Sequence, residues 1–239
     1  MSAAILTAGK LVFAAMGIAV GVKLAGAARE RGAWGLHTVA LAAICVGGLG
    51  ILLMPLADLL ESFPVLIAAE AGVRAGMLLL CVFIAGTFRP TPAGWVAAAI
   101  AGIGLVAAIF WDVSEQGAAA QYDYALASSH ANQLSIAVPF AWATFESATL
   151  WLRGRRRLEL GLADAAVVRG YLLWSVATAC FVGICGLAML AGVLASAGAS
   201  TAAGVAHAMR GFLYLGITAA IWAGLFRNAP TPEATRAPS

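Results

Sequence analysis

The sequence contains few charged residues for its length. Asp, Glu, Lys and Arg make up 10% of the 239 residues, against about 25% in ordinary soluble domains. Hydrophobic residues account for 62%, so there is too little charge to cover a surface that faces water. This excludes an ordinary soluble domain and predicts an integral membrane protein, formed as a single domain over residues 1–226.

Motifs for redox, metal or hydrolytic chemistry are also missing. No HExxH, GxSxG or Walker motif is present, and these motifs would indicate metal, acyl-transfer or nucleotide chemistry. The four cysteines all lie in apolar segments, and none belongs to a CxxC pattern: Cys45, Cys81, Cys180 and Cys185. An intramembrane enzyme is therefore the least favoured class, and we expect no cofactor, no metal and no nucleic-acid partner.

What the sequence has instead is a series of long apolar segments. A helix needs about 20 mostly apolar residues to cross a membrane. Seven segments qualify, and they predict an all-α membrane protein built as a seven-transmembrane-helix bundle. The predicted spans cover residues 4–27, 36–57, 63–87, 93–111, 134–152, 167–195 and 203–226.

Charge is unevenly distributed between the two sides of the predicted bundle. Basic residues fall in alternate connections and near the C-terminus: Lys23, Arg29, Arg31, Arg89, Arg153, Arg155, Arg156, Arg157, Arg169, Arg227 and Arg236. The opposite connections carry only acidic charges: Asp58, Glu61, Asp112, Glu115 and Asp123. Basic residues favour the cytoplasmic side, so we expect the N-terminus outside and the C-terminus in the cytoplasm, across the cell membrane (the inner membrane in a bacterium). The polar tail, residues 227–239, is predicted to be disordered.

The densest basic cluster, RGRRR at 153–157, directly follows the fifth predicted span. Arg153, Arg155, Arg156 and Arg157 are expected to bind anionic lipid on the cytoplasmic side of the bilayer. Docking of a membrane or cytoplasmic protein partner is the alternative.

Two pairs of short motifs indicate an internal repeat. VGGLG at 46–50 resembles VGICG at 182–186, and AGTFRPTP at 85–92 resembles AGLFRNAP at 223–230. The two offsets, 136 and 138 residues, are nearly equal. Residues 4–90 would then repeat as residues 134–227 in the same orientation, with 93–111 as a linker helix, which is a 3+1+3 parallel plan. Chance similarity between Ala- and Gly-rich helices is the alternative.

Sugar-exporting SWEET proteins and opsin-like seven-helix proteins share this plan, and the likeness is one of plan only. The sequence has no Pro-Gln motif of the SWEET type, and its seventh predicted span has no lysine to which retinal could attach. In transporters built from parallel repeats, the site lies between the halves near the midplane. We therefore expect a site between the two repeats.

Five ionisable residues inside the predicted spans are the candidate ligand-binding residues: Glu70, Arg74, Glu146, His207 and Arg210. A charge at the centre of a spanning helix costs about 2.5–3.5 kcal/mol on the insertion scale, so these groups should face the bundle interior and find partners. Glu70 and Arg74 are one helical turn apart and can pair, and His207 shares a helix face with Arg210. Lys10 is interpreted as reaching toward the membrane surface.

The longest predicted connection, residues 111–133, lies on the outside. Loops longer than about 12 residues often cover binding sites, so this one could close a pocket. A metal site formed by Asp112, Asp123 and His130 is an alternative, although their spacing matches no known motif.

These features favour a protein that binds or transports a small polar or anionic molecule through a pocket in the outer half of the bundle. Two other classes stay open. A seven-helix sensor would signal to a separate cytoplasmic partner. A structural subunit of a membrane complex would use the same charges only to fix helix packing.

Overall fold

The fold is described here from a computed structural model, which covers residues 2–116, 123 and 125–225. The tail predicted at 227–239 lies outside this part of the chain. Within it the fold is all-α, without a strand, and seven helices follow one another. They are α1 (Ser2–Arg31), α2 (Trp34–Leu60), α3 (Phe63–Thr87), α4 (Pro92–Gln116), α5 (Ala127–Glu159), α6 (Ala165–Ser196) and α7 (Ser200–Leu225).

Six of these helices are long and apolar enough to cross a membrane: α1, α2, α3, α4, α6 and α7. The prediction of an all-helical fold is confirmed, and these six helices fit the predicted membrane bundle by length and composition. The remaining helix, α5, contains the predicted fifth span at 134–152 but does not reach the same apolarity. Its sequence mixes apolar residues with Pro139, Glu146 and several hydroxyl side chains.

Apart from the connection between α4 and α5, short turns send each helix back along the previous one. Three turns contain a glycine with positive φ, a conformation that other residues rarely adopt: Gly32 (62°), Gly161 (69°) and Gly198 (78°). At the start of α6, Oδ1 of Asp164 accepts a hydrogen bond of 2.7 Å from the backbone N–H of Ala166. This caps an N–H that the helix itself cannot use.

Six helices pack as a ring in the order α1, α2, α3, α5, α6 and α7, which closes where α1 meets α7. Helix α4 packs against α3 and α5 outside this ring, because α3 and α5 also touch each other. The outer side of α4 exposes large apolar side chains, including Ile100, Ile103 and Phe110. Such a face is suited to contact with lipid tails.

The two ends of the bundle differ in charge, and we name them by it. The acidic end is the end at which α1 begins, and it carries Asp58, Glu61, Asp112, Glu115 and Asp123. The basic end is the opposite end, and it carries Arg29, Arg89, Arg153, Arg155, Arg156 and Arg157.

Helix α2 widens into a π-helix over Ile44–Ile51. Pro55 lies one turn further on, where it has no N–H to donate to the carbonyl of Ile51 and its ring crowds that carbonyl. A methyl group added to Gly47, in the widened segment, would lie 2.9 Å from Cα of Gly17. Helices α1 and α2 therefore meet backbone to backbone, which only small residues allow.

The connection predicted over 111–133 is shorter than expected. Helix α4 continues to Gln116 and α5 already begins at Ala127, while residues 117–122 and 124 lie outside the described part. The error arose because Ser128, Ser129 and Asn132 are polar and resemble loop residues. In the fold they form one buried face of α5.

Candidate functional site

Four polar side chains form a continuous chain of contacts from α3 through α5 to α4, near the acidic end. Nη2 of Arg74 lies 2.7 Å from Oε2 of Glu70, one turn earlier on α3, and also donates a hydrogen bond to Oδ1 of Asn132. Nδ2 of Asn132 donates in turn to Oδ2 of Asp112, at 2.7 Å. All four residues are at most 6% exposed, so the network belongs to the bundle interior.

Asp112 anchors this network, because its carboxylate accepts further hydrogen bonds from the start of α5. Oδ1 accepts from the hydroxyls of Ser128, at 3.1 Å, and Ser129, at 3.0 Å. A buried carboxylate needs such donors, since an ionised group without them is costly to remove from water. The carboxylate therefore ties α4 to α5 and holds Asn132 in place for Arg74.

Arg74 has donor groups that no described residue uses. Its Nε and Nη1 are buried and have no hydrogen-bond partner within the described part of the chain. Such donors are rare in native interiors, and an ordered water or ion commonly accounts for them. Cys185 on α6 lies close enough to Arg74 and to Arg210 to interact with both charges. The two guanidinium groups therefore approach the same region of the bundle.

A cavity of about 380 Å³ lies in this region. Charged side chains from four helices line it: Lys10 on α1, Asp58 on α2, Glu70 on α3 and Arg210 on α7. Lys10, Glu70 and Arg210 are 8%, 6% and 3% exposed, whereas Asp58 is exposed and stands toward the acidic end. The size falls in the range of about 300–1,000 Å³ that is usual for small-molecule sites.

Most of the remaining cavity wall is apolar. Gln133 and Tyr214 add two uncharged polar groups, and the apolar side includes Met54, Phe140 and Phe181. Apolar surroundings exclude water and strengthen the interactions of the charges beside them. The cavity can therefore hold a charged group at one side and an apolar body at the other.

A close crossing of α1 and α7 brings Lys10 and Arg210 to one side of the cavity. A methyl group on Gly9 would lie only 2.6 Å from the carbonyl oxygen of Gly211, so the crossing depends on glycine. His207 lies one turn before Arg210 on α7, and its Nδ1 is 3.1 Å from Nη1 of Arg210. Since a guanidinium group can only donate, Nδ1 of His207 accepts in this contact, and the positive charge of this wall comes from Lys10 and Arg210.

Glu146, the remaining candidate residue, lies elsewhere. It is about 21 Å further along α5 than Asn132, at 1.5 Å of rise per residue. Its Oε1 accepts a hydrogen bond of 2.7 Å from Nε of Arg89 and one of 3.2 Å from Nε1 of Trp142. Of the five candidates, Glu70 and Arg210 line the cavity, Arg74 and His207 contact these two, and Glu146 is separate.

Sequence reasoning missed two parts of this site. Lys10 was interpreted as reaching toward the membrane surface, whereas it lines the cavity and is 8% exposed. Asp112 and Asn132 were assigned to a loop. A signal for Asn132 was present, because Ser128, Ser129 and Asn132 have the spacing of a single helix face.

Two of the three residues of the alternative metal site have other contacts. Asp112 accepts the hydrogen bonds from α5 described above, and Oδ1 of Asp123 accepts from the backbone N–H of Ala125 at 2.8 Å. Among the described residues, no three His, Cys, Asp or Glu side chains form a group that could hold a metal ion.

None of the family models, curated proteins or solved structures compared with the chain matches it. The function must therefore be argued from the site itself.

Proposed function

We propose that this protein lies in the cell membrane and binds a small anionic molecule, for sensing or transport, in the cavity at its acidic end, which faces outside. One observation carries the proposal: Lys10, Glu70 and Arg210 line a cavity of about 380 Å³. Charges that serve only to fix helix packing would be expected to fill the space between them, as side chains in close-packed interiors do.

The preference for an anion follows from the arrangement of the charges. Glu70 lies 2.7 Å from Arg74, which balances its negative charge. Lys10 and Arg210 add positive charge to the cavity wall, and His207 contacts Arg210. Guanidinium and ammonium groups form strong charge-assisted hydrogen bonds with carboxylate and phosphate oxygens. Asp58 at the mouth is exposed, so solvent and salt screen its repulsion.

In this proposal helix α5 also crosses the membrane, in addition to the six helices identified above. Its largest exposed apolar side chains, Leu134, Val138, Phe145 and Leu152, recur at intervals of four and seven residues, as on one side of a helix. Asn132 and Glu146 are buried, so they need not meet lipid. Seven spans separate the two termini, and the positive-inside rule then favours a cytoplasmic basic end.

The 3+1+3 repeat supports a site between two halves. The same shift of 136 residues that aligns VGGLG with VGICG leads from Arg74 to Arg210. Each repeat would thus contribute one buried arginine to the same region. Helix α4, which lies outside the ring, suits the role of a linker.

A sensor is the second candidate function. The arginines at the end of α5 are all exposed: Arg153, Arg155, Arg156 and Arg157. In either function they would bind anionic lipid at the cytoplasmic surface. In a sensor the same surface would also dock a cytoplasmic partner.

The proposal is tested by thermal unfolding of the purified protein in lipid nanodiscs with a panel of small solutes. Carboxylates, phosphates and sulfonates are compared with amines of matched size. A ligand at one hundred times its Kd stabilises the folded state by about 2.7 kcal/mol. At least one anion should therefore raise the unfolding temperature of the wild-type protein, and the amines should not.

Two variants test whether the anion binds at Lys10 and Arg210. Arg210→Gln and Lys10→Gln should each weaken anion binding at least tenfold, because a hydrogen bond to a charged group contributes about 1.5–3 kcal/mol. Lys23→Gln is the matched control, since it removes the same charge at an exposed position on α1. Equal anion stabilisation in all four proteins would refute the site.

A further inference from the structure

Two more cavities follow the first along the axis of the bundle, toward the basic end. A small cavity of about 80 Å³ shares Val46, Phe140 and Phe181 with the first. A larger cavity of about 850 Å³ shares Trp174, Ala177 and other residues with the small one. We call this largest one the inner cavity. Shared walls mean that the three spaces succeed one another through the bundle.

A layer of four aromatic rings stands between the first cavity and those below it. Phe140 and Phe181 are stacked, with centroids 4.1 Å apart and planes within 3°. Phe13 meets Phe181 edge-on at 5.1 Å, and Tyr214 lies 5.5 Å from Phe13. The four rings come from α1, α5, α6 and α7 and are at most 9% exposed. This aromatic layer closes the bundle between its two largest axial cavities.

The inner cavity differs from the first in its chemistry. Its wall includes Trp34, Phe83, Phe88, Tyr171 and Trp174. Among the described residues, no charged side chain lines it. A small inorganic ion would lose its hydration here without compensation. A molecule that passes this way needs an apolar body to make use of these walls.

Irregular segments of α5 and α2 lie beside the aromatic layer and would allow it to move. Pro139, beside Phe140, lies inside α5, where it removes a backbone hydrogen bond and permits a kink. The π-helix of α2 contributes Val46 to the walls of both upper cavities. Irregular helices next to cavities are common where membrane transporters change conformation. Bending of α5 would separate Phe140 from Phe181 without unfolding either helix.

We propose that the aromatic layer is the gate of a transport path, and that the transported molecule is an organic anion with an apolar body. The first cavity holds the anionic group at Lys10 and Arg210. Opening of the gate then admits the molecule to the aromatic inner cavity and to the basic end. Apolar constrictions of this kind block water and ions while they are closed. This inference rests on the proposed function.

The gate is tested by cysteine accessibility, which requires no knowledge of the ligand. In a variant whose four cysteines are replaced by alanine, Met54→Cys places a thiol in the first cavity and Ala177→Cys places one below the aromatic layer. An anionic, membrane-impermeant methanethiosulfonate is added from outside. It should modify Met54→Cys but not Ala177→Cys.

Opening the layer should change this pattern. Phe181→Ala, and separately Phe140→Ala, should speed modification of Ala177→Cys at least tenfold. Phe145→Ala on α5 is the control, because its ring is 61% exposed and lies outside the layer. The gate is refuted if Ala177→Cys reacts as fast as Met54→Cys in the parent protein. It is equally refuted if neither layer variant accelerates the reaction.

Transport is measured with radiolabelled benzoate as the probe, in proteoliposomes, with phosphate for comparison. Saturable uptake of benzoate and exclusion of phosphate are expected, and Phe181→Ala should convert this to faster uptake that does not saturate. If anions stabilise the protein but are not taken up, the proposal of a transport path is wrong and the proposal of a binding site stands. If no anion binds at all, the proposed function itself fails, whatever the accessibility pattern.

Discussion

Helix α5 is joined twice, once to α3 and once to Arg89 in the turn that follows α3, and the two joints use similar residues in different surroundings. At the acidic end, Arg74 binds Asn132 and Glu70, and all three side chains are buried. At the basic end, Arg89 pairs with Glu146 at 2.7 Å, but the Arg89 side chain is 52% exposed. The first joint must be satisfied inside the protein, whereas the second can exchange with water or lipid headgroups.

The difference shows why an ion pair alone does not identify a functional site. In the basic-end pair only Arg89 is exposed, while the Glu146 side chain is 8% exposed, so water screens one partner and weakens the contribution of the pair to stability. A buried pair is costly to desolvate, so breaking it leaves an uncompensated charge. The acidic-end joint adjoins a cavity lined by two more cations, and the basic-end joint lines none of the cavities described above.

The largest effect is expected from removal of the buried arginine. Arg74→Met leaves Glu70 buried without its partner and should lower the free energy of unfolding by about 3–5 kcal/mol. Unfolding in mixed detergent micelles measures this.

The double variant Glu70→Leu/Arg74→Met tests the reason for that loss. It should recover most of the stability, because a buried pair can often be replaced by apolar residues. If the double variant is as unstable as the single one, packing and not charge explains the loss.

A smaller effect is expected from the anchor of the same joint. Asp112→Asn replaces one acceptor oxygen with a donor NH2 group, which would face either the serine hydroxyls or the Asn132 amide. The variant should lower the free energy of unfolding by about 1–3 kcal/mol. The same unfolding measurement applies. Asp123→Asn serves as the control because Asp123 is exposed. Equal losses of unfolding free energy in the two variants would show that Asp112 does not anchor the network.

The smallest effect is expected at the basic end. The Gln amide can still donate to the buried Glu146 carboxylate, so Arg89→Gln should lower the free energy of unfolding by about 1 kcal/mol, and anion-dependent stabilisation should remain as in the wild type. A loss as large as that of Arg74→Met would show that the two joints are energetically alike and would end the comparison.

The fold was largely predictable because hydropathy follows helix position closely. The segment predicted at 63–87 coincides with α3, and every predicted span lies on one of the seven helices, although residue 226 falls beyond the described part. The errors lie where polar residues are buried. Ser128 and Ser129 were assigned to a loop because their hydroxyls suggest water, yet they bond the Asp112 carboxylate inside the protein.

The site was predictable only within single helices. The i,i+4 spacing of Glu70 and Arg74 indicated their contact, and the i,i+3 spacing of His207 and Arg210 indicated theirs. Partners on different helices could not be found this way. The approach of Lys10 to the cavity depends on the crossing of Gly9 and Gly211, and no periodicity in either helix encodes that crossing.

The π-helix of α2 has a consequence for how related sequences would align with this one. A π turn holds about one residue more than an α turn, so deletion of a single residue within Ile44–Ile51 could restore a regular helix. Because the π turn absorbs its extra residue, Met54 and Asp58 would still face the cavity after such a deletion. A deletion in a regular α-helical segment would instead rotate the residues that follow by roughly 100° about the helix axis. A one-residue gap at this point in an otherwise similar chain would therefore mark the loss of the π-helix with the same residues left on the cavity wall.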